Sequence, residues 1–171
     1  MAKLGFVGLG IMGMPMARHL AEAGHSLAVW WHSQDKAKQL AESVGALFCD
    51  SPEEVARHSE CVFLCVGDTA MSRQVIMGPQ GLADGSRAGS VIVDCSTISP
   101  LESQRMADEL LSRDIEFLDA PCTGSKGGAE TGTLTFMVGG AKNVFDRVRP
   151  YLEAMGKLLY YCGCFRHGFA S

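Results

Sequence analysis

A glycine-rich segment near the start of the chain has the residue types and spacing needed to bind a phosphate group. Gly8, Gly10 and Gly13 form a G-x-G-x-x-G pattern between a short apolar run and an amphipathic stretch. In such a pattern the first glycine allows a tight turn, the second lets a pyrophosphate approach the backbone, and the third lets a helix pack on the strand. The free N–H groups at the helix start then face the phosphates. We therefore predict a dinucleotide site, with a glycine turn that binds no ligand as the alternative.

The residues after the second apolar run bear on which nucleotide would bind. NAD sites commonly place an acidic residue there, to hydrogen-bond the ribose 2′-hydroxyl. Here Trp31, His32 and Ser33 follow, and the first acid is Asp35. No acid is therefore placed to repel a 2′-phosphate, and His32 and Lys36 could offer it donors or positive charge. We include His32 among the cofactor-binding residues and predict a preference for NADP, with NAD as the alternative.

A second segment, residues 119–134, is rich in glycine and hydroxyl side chains. It reads DAPCTGSKGGAETGTL and follows the sixth apolar run of the chain. In a doubly wound sheet, the carboxyl ends of the strands form a crevice for ligands. Backbone N–H groups and hydroxyls of a loop at that place can donate hydrogen bonds to a small carboxylate. The segment therefore predicts a loop that binds an anionic small molecule.

The elements that would position these two segments follow from the alternation of apolar runs and amphipathic stretches. Strands are predicted at residues 4–7, 27–30, 46–48, 61–66, 91–94, 117–120, 134–138 and 158–161. Most are continuously apolar, as expected for parallel strands buried on both faces. Helices are predicted at 12–23, 35–42, 52–58, 70–76, 100–112 and 143–155, two of them with Ser51 and Ser99 as N-caps. The alternation predicts an α/β fold with a doubly wound, mostly parallel sheet.

Composition and charge exclude several classes of function. A chain of 171 residues with 47% apolar content is long enough for one domain with a substantial core. The net charge of −4, without a basic stripe, gives no reason to expect a nucleic-acid partner. The apolar runs are far shorter than the ~20 residues that span a bilayer, so we expect no membrane association. No room for a targeting segment precedes the first strand, which predicts a cytoplasmic protein.

The seven cysteines do not form a recognisable framework. They show no Cys-x-x-Cys pair and have no histidine partners at the spacing of a zinc site. Most lie within apolar segments. We therefore expect reduced, buried thiols and no metal site.

Three segments of the chain, residues 5–13, 94–100 and 119–140, resemble the β-hydroxyacid dehydrogenase family, and they occur in that family's order. This family contains 3-hydroxyisobutyrate dehydrogenase, tartronate semialdehyde reductase and glyoxylate/succinic semialdehyde reductases. The resemblance covers residues 4 to about 163. It implies a Rossmann-type NAD(P)-binding domain at residues 1–163, followed in the complete family enzyme by a helical domain. Residues 164–171 would then be an atypical tail where the helical domain begins.

The resemblance also implies an activity and a set of site residues. The activity is transfer of hydride between a nicotinamide and a short β-hydroxy acid or semialdehyde carboxylate. Cofactor contacts are carried onto matching positions, which are Gly8, Leu9, Gly10, Ile11, Met12, Cys65, Val66 and Thr97. Substrate contacts are carried onto Thr123, Gly124 and Ser125. The implied partner is a small carboxylate substrate.

Three departures from the family pattern affect the site. The family's frequent Asn-Arg-Ser/Thr after the second strand is Trp31-His32-Ser33 here, so the arginine that favours NADP is missing. The frequent Val-Pro-Asp after the fourth strand is Val66-Gly67-Asp68. Thr123 replaces the usual serine, which keeps the hydroxyl and adds a methyl group that narrows the substrate pocket.

The largest departure concerns the family's catalytic lysine, the acid/base that protonates the nascent alkoxide. By spacing from Gly163, this lysine would fall at the position immediately after Ser171. Lys126 could be proposed as a substitute, although an exposed loop lysine is the simpler interpretation. The polypeptide is thus interpreted as a fragment, a frameshift product or a degenerate copy of such an enzyme. The alternative function is a non-catalytic dinucleotide-binding or interaction module. The face of the sheet that the helical domain would cover is expected to make the chain prone to self-association.

Overall fold

The computed structural model describes residues 1–165 as an α/β sandwich of one sheet between two helical layers. The strands are β1 (Lys3–Val7), β2 (Ser26–Trp30), β3 (Leu47–Phe48), β4 (Cys61–Leu64), β5 (Val91–Asp94), β6 (Glu116–Asp119), β7 (Cys122–Thr123), β8 (Leu134–Gly139) and β9 (Gly156–Gly163). The helices are α1 (Gly13–Glu22), α2 (Gln34–Val44), α3 (Pro52–Arg57), α4 (Thr69–Met77), α5 (Leu82–Gly85), α6 (Pro100–Leu111), α7 (Ser125–Thr131) and α8 (Lys142–Met155).

The strand order creates a crevice at the carboxyl ends of the central strands. The order is β3-β2-β1-β4-β5-β6-β8-β7, with β9 paired to the other edge of β8. Strands β1 to β6 are parallel to their neighbours, whereas β8 runs antiparallel to β6 and β7. The chain moves outward in one direction from β1 to β3 and then in the other from β4 onward, so the switch point lies between β1 and β4. The predicted doubly wound, mostly parallel sheet is confirmed.

The core lies on both faces of the sheet, which explains the continuously apolar strands. In β4, Phe63 packs in the cluster that contains α1, α2 and α8, whereas Val62 and Leu64 pack in the cluster that contains α3, α4, α5 and α6. All three side chains are buried. A strand with helices on both faces has no solvent side, so neighbouring positions are apolar alike.

Two helices begin as the sequence predicts. The Ser51 hydroxyl accepts a hydrogen bond from the Glu54 N–H at 3.1 Å, and the Ser99 hydroxyl accepts one from the Glu102 N–H at 3.4 Å. Proline occupies the first turn of both α3 and α6, where its missing N–H leaves no broken bond. These caps set the directions in which the chain leaves the carboxyl ends of β3 and β5.

The segment predicted as a loop, residues 119–134, contains two elements that the sequence does not predict. They are the short strand β7 and the helix α7, and a further one-turn helix, α5, was also not predicted. Helix α7 contains two glycines, which lower helix propensity, and Gly132 ends it in the left-handed conformation with φ 68°. Its buried Ala129 packs in the core next to α1, so tertiary contacts stabilise a helix that local preferences disfavour.

Among residues 1–165, no helix combines the length and the apolar character that crossing a bilayer requires.

Candidate functional site

The glycine turn lies at the switch point, between the end of β1 and the start of α1. Gly8 has φ +98°, and its N–H donates to the Trp30 carbonyl at 3.3 Å. A Cβ atom at Gly8 would lie 2.1 Å from the Cys65 carbonyl oxygen. Glycine is therefore required at this position both for the backbone conformation and for the close approach of the loop that follows β4.

The two other glycines of the turn have different surroundings. A Cβ at Gly13 would lie 1.7 Å from the Gly8 carbonyl oxygen, so Gly13 permits α1 to pack on the turn. A Cβ at Gly10 would have no protein atom within 4 Å. Helix α1 begins at this point without a side-chain cap. The Met14 N–H donates to the Gly10 carbonyl at 3.1 Å and Pro15 has no N–H, so the turn can offer a ligand the N–H of Gly13 and those of the residues just before it. Contacts within the protein thus explain why residues 8 and 13 are glycines. No such contact explains Gly10, whose missing side chain leaves the backbone accessible to a ligand.

A pocket of about 330 Å³, which we call the turn pocket, opens beside Gly10. It brings together seven of the predicted cofactor residues, which are Gly10, Ile11, Met12, Gly13, His32, Cys65 and Val66. The side chain of Leu9 is 1% exposed and packs in the core, so Leu9 can offer a ligand only its backbone. Thr97 is exposed on the loop after β5 and does not line this pocket.

A second pocket of about 310 Å³, which we call the side pocket, lies between β2, α3 and α4. It shares Trp31, His32 and Met71 with the turn pocket, so the two pockets are adjacent. Asp50 lines the side pocket as well, and the sequence analysis did not single it out. The sequence does contain an indication of this position. Asp50 follows β3, the parallel neighbour of β2, and the carboxyl ends of neighbouring parallel strands lie at the same end of a sheet.

The predicted substrate residues lie together at the end of β7 and the start of α7. Thr123 pairs with Thr135 of β8, Gly124 has φ 132° and Ser125 has φ 56°. All three are exposed, and none lines the turn pocket. The positive φ of Ser125 is uncommon for a residue with a side chain, and such strained positions cluster at functional sites.

A histidine that the sequence analysis missed connects this loop to the nucleotide side. The Nε2 atom of His19, on α1, lies 3.0 Å from the carbonyl oxygens of Ala129 and Glu130 at the end of α7. The helix that begins at the glycine turn is therefore bonded directly to the helix that follows the predicted substrate residues.

Three cysteines lie near the crevice, and their thiols are poor nucleophiles. Burial raises the pKa of Cys65 to about 12 and also raises the pKa of Cys122. Burial raises the pKa of Cys95 well above its ordinary value. The thiolate is the reactive form, so these groups are inert near neutral pH and act as apolar side chains.

A buried and a half-buried carboxyl group lie side by side at the ends of β5 and β6. Asp94 and Asp119 are paired residues of these parallel strands, and Asp94 is completely buried. Burial, and then the nearby charge of Asp94, raise the pKa of Asp119 to about 7. Burial also raises the pKa of Asp94, against opposing hydrogen bonds from Ser72 and Ser96. Both carboxyl groups therefore keep their protons to a higher pH than ordinary aspartates do.

We expect Asp119 to make the protein less stable as pH rises from about 4 to about 7. In this window the unfolded chain has lost the Asp119 proton, whereas the folded chain, with a pKa of about 7, still binds it. The free energy of unfolding therefore falls by up to about 1.4 kcal/mol per pH unit and becomes constant above the folded pKa.

Asp119→Asn removes this titration and keeps a neutral side chain of similar shape. Urea unfolding should show equal stability of variant and wild type near pH 4, and a more stable variant at pH 8. Asp35→Asn, at an exposed position of α2, controls for the loss of one negative charge. Parallel pH profiles for Asp119→Asn and the wild type would contradict the assignment.

Lys126 and Lys142 are surface groups. The side chain of Lys126 is 68% exposed and lies 3.6 Å from the Glu130 carboxylate, one turn along α7. Lys142 pairs in the same way with Asp146 on α8. Neither is enclosed as a proton donor to a bound carbonyl would be. The position predicted for the family lysine, after Ser171, and the predicted tail beyond residue 165 lie outside the described residues.

The chain is similar to known proteins over nearly its whole length. The family model described as the NAD-binding domain of 6-phosphogluconate dehydrogenase matches residues 3–164. The chain is 42% identical over 161 residues to 2-hydroxy-3-oxopropionate reductase of Escherichia coli, which covers 94% of this chain and 54% of that protein. The chain thus spans about half the length of this curated relative.

Two solved structures share the fold. The 3-hydroxyisobutyrate dehydrogenase of Mycobacterium tuberculosis, solved with L-serine, aligns with a TM-score of 0.89 and 30% identity over 96% of this chain and 55% of that one. A protein named Psf3, in complex with NADP+ and 2-OPP, aligns with a TM-score of 0.88 and 26% identity over 94% of this chain and 56% of that one.

Proposed function

This chain belongs to the family of NAD-binding domains represented by that of 6-phosphogluconate dehydrogenase, and on that premise we propose that it is the nucleotide-binding part of an oxidoreductase. The proposed reaction transfers hydride between a nicotinamide and a short β-hydroxy acid or semialdehyde carboxylate. The observation that carries the proposal is the glycine turn, where Gly10 keeps the backbone accessible at the start of an uncapped helix beside a pocket of about 330 Å³.

The residues of the crevice fit a dinucleotide. The backbone from Gly8 to Gly13 would hold the pyrophosphate, with Leu9 contributing main-chain atoms alone. His32 would contact the ribose and its 2′ substituent, and Cys65, Val66 and Thr97 would contact the nicotinamide half. When bound, the nicotinamide supplies the hydride chemistry, and the protein supplies orientation and exclusion of water.

The substrate would bind at the end of β7. Thr123 offers a hydroxyl, and Gly124 and Ser125 offer N–H groups at the start of α7, which together can bind a carboxylate. The carboxylate is the group shared by short β-hydroxy acids and semialdehyde acids, so this loop would recognise the class and not one member. The proton donor to the carbonyl oxygen would be the family lysine expected after Ser171.

For the nucleotide we propose NADP as the preferred cofactor, with NAD as the alternative. The support is the lack of an acid directly after β2 and the presence of His32 in both pockets. Asp50 opposes this preference, because a 2′-phosphate near the side pocket would face its carboxylate. Among the described residues that line the two pockets, none is Lys or Arg, so we expect a modest preference.

The test is titration calorimetry of the chain with NADPH and NADH. NADPH should bind at least as tightly at low salt, and its advantage should shrink as salt screens the phosphate. His32→Ala should lower the ratio of NADPH to NADH affinity and Asp50→Asn should raise it, whereas Gln39→Ala, exposed on α2, should change neither. Tighter binding of NADH at every salt concentration, unaffected by both variants, would reverse the preference. If the chain binds neither nucleotide, the proposed function itself is contradicted.

A non-catalytic dinucleotide-binding module is the second candidate, favoured by the surface positions of Lys126 and Lys142. We propose that copies of the chain associate through the exposed face of β8 and β9, where Met137, Leu158 and Tyr160 are 39%, 48% and 54% exposed. The proposed location is the cytoplasm.

A further inference from the structure

Two loops that carry predicted cofactor residues are bonded to each other at the switch point. The loop after β4 contains Cys65 and Val66, and the loop after β5 contains Thr97. The Val66 N–H donates to the Ser96 hydroxyl oxygen at 2.8 Å. The Ser99 N–H donates to the Thr69 hydroxyl oxygen at 3.0 Å. These two bonds join the loop after β4 and the start of α4 to the loop after β5.

Asp94 is the centre of this arrangement. Its carboxyl group is completely buried at the end of β5 and accepts a hydrogen bond from the Ser96 N–H at 2.9 Å. It also accepts a hydrogen bond from the hydroxyl of Ser72, which belongs to α4. Ser96 and Ser72 are themselves buried, with 2% and 0% exposure. One carboxyl group thus holds the strand end, the loop after β5 and the helix that follows the loop after β4.

A buried carboxyl group is an inefficient means of stabilising a core. Its transfer from water costs free energy that hydrogen bonds only partly offset, and an apolar residue of similar size is often as good for stability. Asp94 accepts hydrogen bonds from Ser72 and Ser96, and the Ser96 hydroxyl in turn accepts one from the Val66 N–H. The arrangement therefore serves the geometry of the loops more than the stability of the fold.

The loop after β4 also contacts the glycine turn directly. The Cys65 carbonyl oxygen lies where a Gly8 side chain would begin, and Val66 is the next neighbour of that position. Cys65 and Val66 line the turn pocket beside Gly10. A shift of this loop would therefore change the shape of the pocket on the side opposite the glycine turn.

We propose that Asp94 is a positioning residue of the nucleotide site, which acts through Ser96 and Ser72 to hold the loops after β4 and β5 against the glycine turn. This inference rests on the proposed function. A loop that is already in its bound conformation pays less ordering entropy when the nucleotide binds, so loss of the network weakens affinity without removing any direct contact.

The experiment compares Asp94→Asn and Ser96→Ala with the wild-type chain by two measurements. Amide hydrogen exchange at Val66 should become faster in both variants, because the acceptor of its N–H is displaced or removed. Affinity for NADPH and NADH should fall about 10-fold, the size expected for a lost hydrogen bond of a buried network. Far-UV circular dichroism establishes that each variant is folded, and Ser72→Ala offers a milder change if Asp94→Asn does not fold.

Ser59→Ala is the matched control for a purely structural loss. The Ser59 hydroxyl is 1% exposed and donates to the Val55 carbonyl at 2.7 Å, away from both pockets. This variant should lose thermal stability and keep both the Val66 exchange rate and the nucleotide affinity of the wild type.

The outcomes separate this inference from the proposed function. If the wild-type chain binds a nucleotide and the folded Asp94→Asn and Ser96→Ala variants bind it equally well, the role of Asp94 is overturned and the proposed function stands. Equal losses of affinity in Ser59→Ala would also overturn it, because general destabilisation would then explain the effect. If the wild-type chain binds neither nucleotide, that result contradicts the proposed function on which the inference rests.

Discussion

Replacing Gly10 with valine is expected to abolish nucleotide binding and leave the fold intact. A Cβ atom at this position would have no protein atom within 4 Å apart from its chain neighbours, so we expect the folded chain to accept valine. The same side chain would occupy the space through which a pyrophosphate approaches the backbone at the start of α1. We expect a loss of NADPH affinity on the order of 100-fold or more, measured by calorimetry, with an unchanged thermal unfolding midpoint.

Two further substitutions make this result specific. Gly127→Val, on α7, adds the same side chain at another position where a Cβ would meet nothing within 4 Å, and it should keep wild-type affinity. Gly13→Ala should instead damage folding, because its Cβ would lie 1.7 Å from the Gly8 carbonyl oxygen. Wild-type NADPH affinity in Gly10→Val would refute the assignment of the glycine turn.

A polypeptide of these 171 residues is expected to be a very poor reductase even when it binds NADPH well. Hydride delivery to a carbonyl builds negative charge on oxygen, and a positioned acid typically contributes about 10²–10⁴-fold to such a step. The family resemblance places that acid after Ser171. Lys126 and Lys142 are exposed and paired with carboxylates, so they are not positioned to replace it.

The measurement is NADPH oxidation with glyoxylate, succinic semialdehyde, tartronate semialdehyde and methylmalonate semialdehyde. Turnover should be far below the ordinary range of roughly 1–10³ per second. A rate inside that range would mean that a residue within the chain acts as the acid. Lys126→Ala would then be the first variant to examine, since Lys126 follows the proposed substrate residues directly.

The parts of the site that could be predicted from the sequence are those with local causes. The conformation of the glycine turn depends on residues that adjoin each other in the chain, so Gly8, Gly10 and Gly13 identify it by spacing. The family match and the identity to the Escherichia coli reductase confirm the resemblance drawn from the motifs. The caps of α3 and α6 are equally local, since Ser51 and Ser99 each bond a residue three positions on.

Helix α7 shows where local reasoning was insufficient. Its sequence contains two glycines and predicts a loop, yet Ala129 is buried and the His19 ring bonds the carbonyls at the end of the helix. His19 lies 110 positions from Ala129 in the chain. A contact at that distance in sequence leaves no periodic signal, so neither the helix nor the histidine could be identified in advance.

The sequence by itself determined the α/β class, the position of the glycine turn and the family, because hydrophobic periodicity and turn chemistry depend on neighbouring residues. Only the tertiary structure decided that Asp94 and Asp119 lie side by side. Asp94 reaches Ser72, 22 positions away, and Val66 reaches Ser96, 30 positions away, because the strand order places β4 beside β5. Burial and hydrogen bonding depend on which distant residues meet, and that depends on how the strands pair.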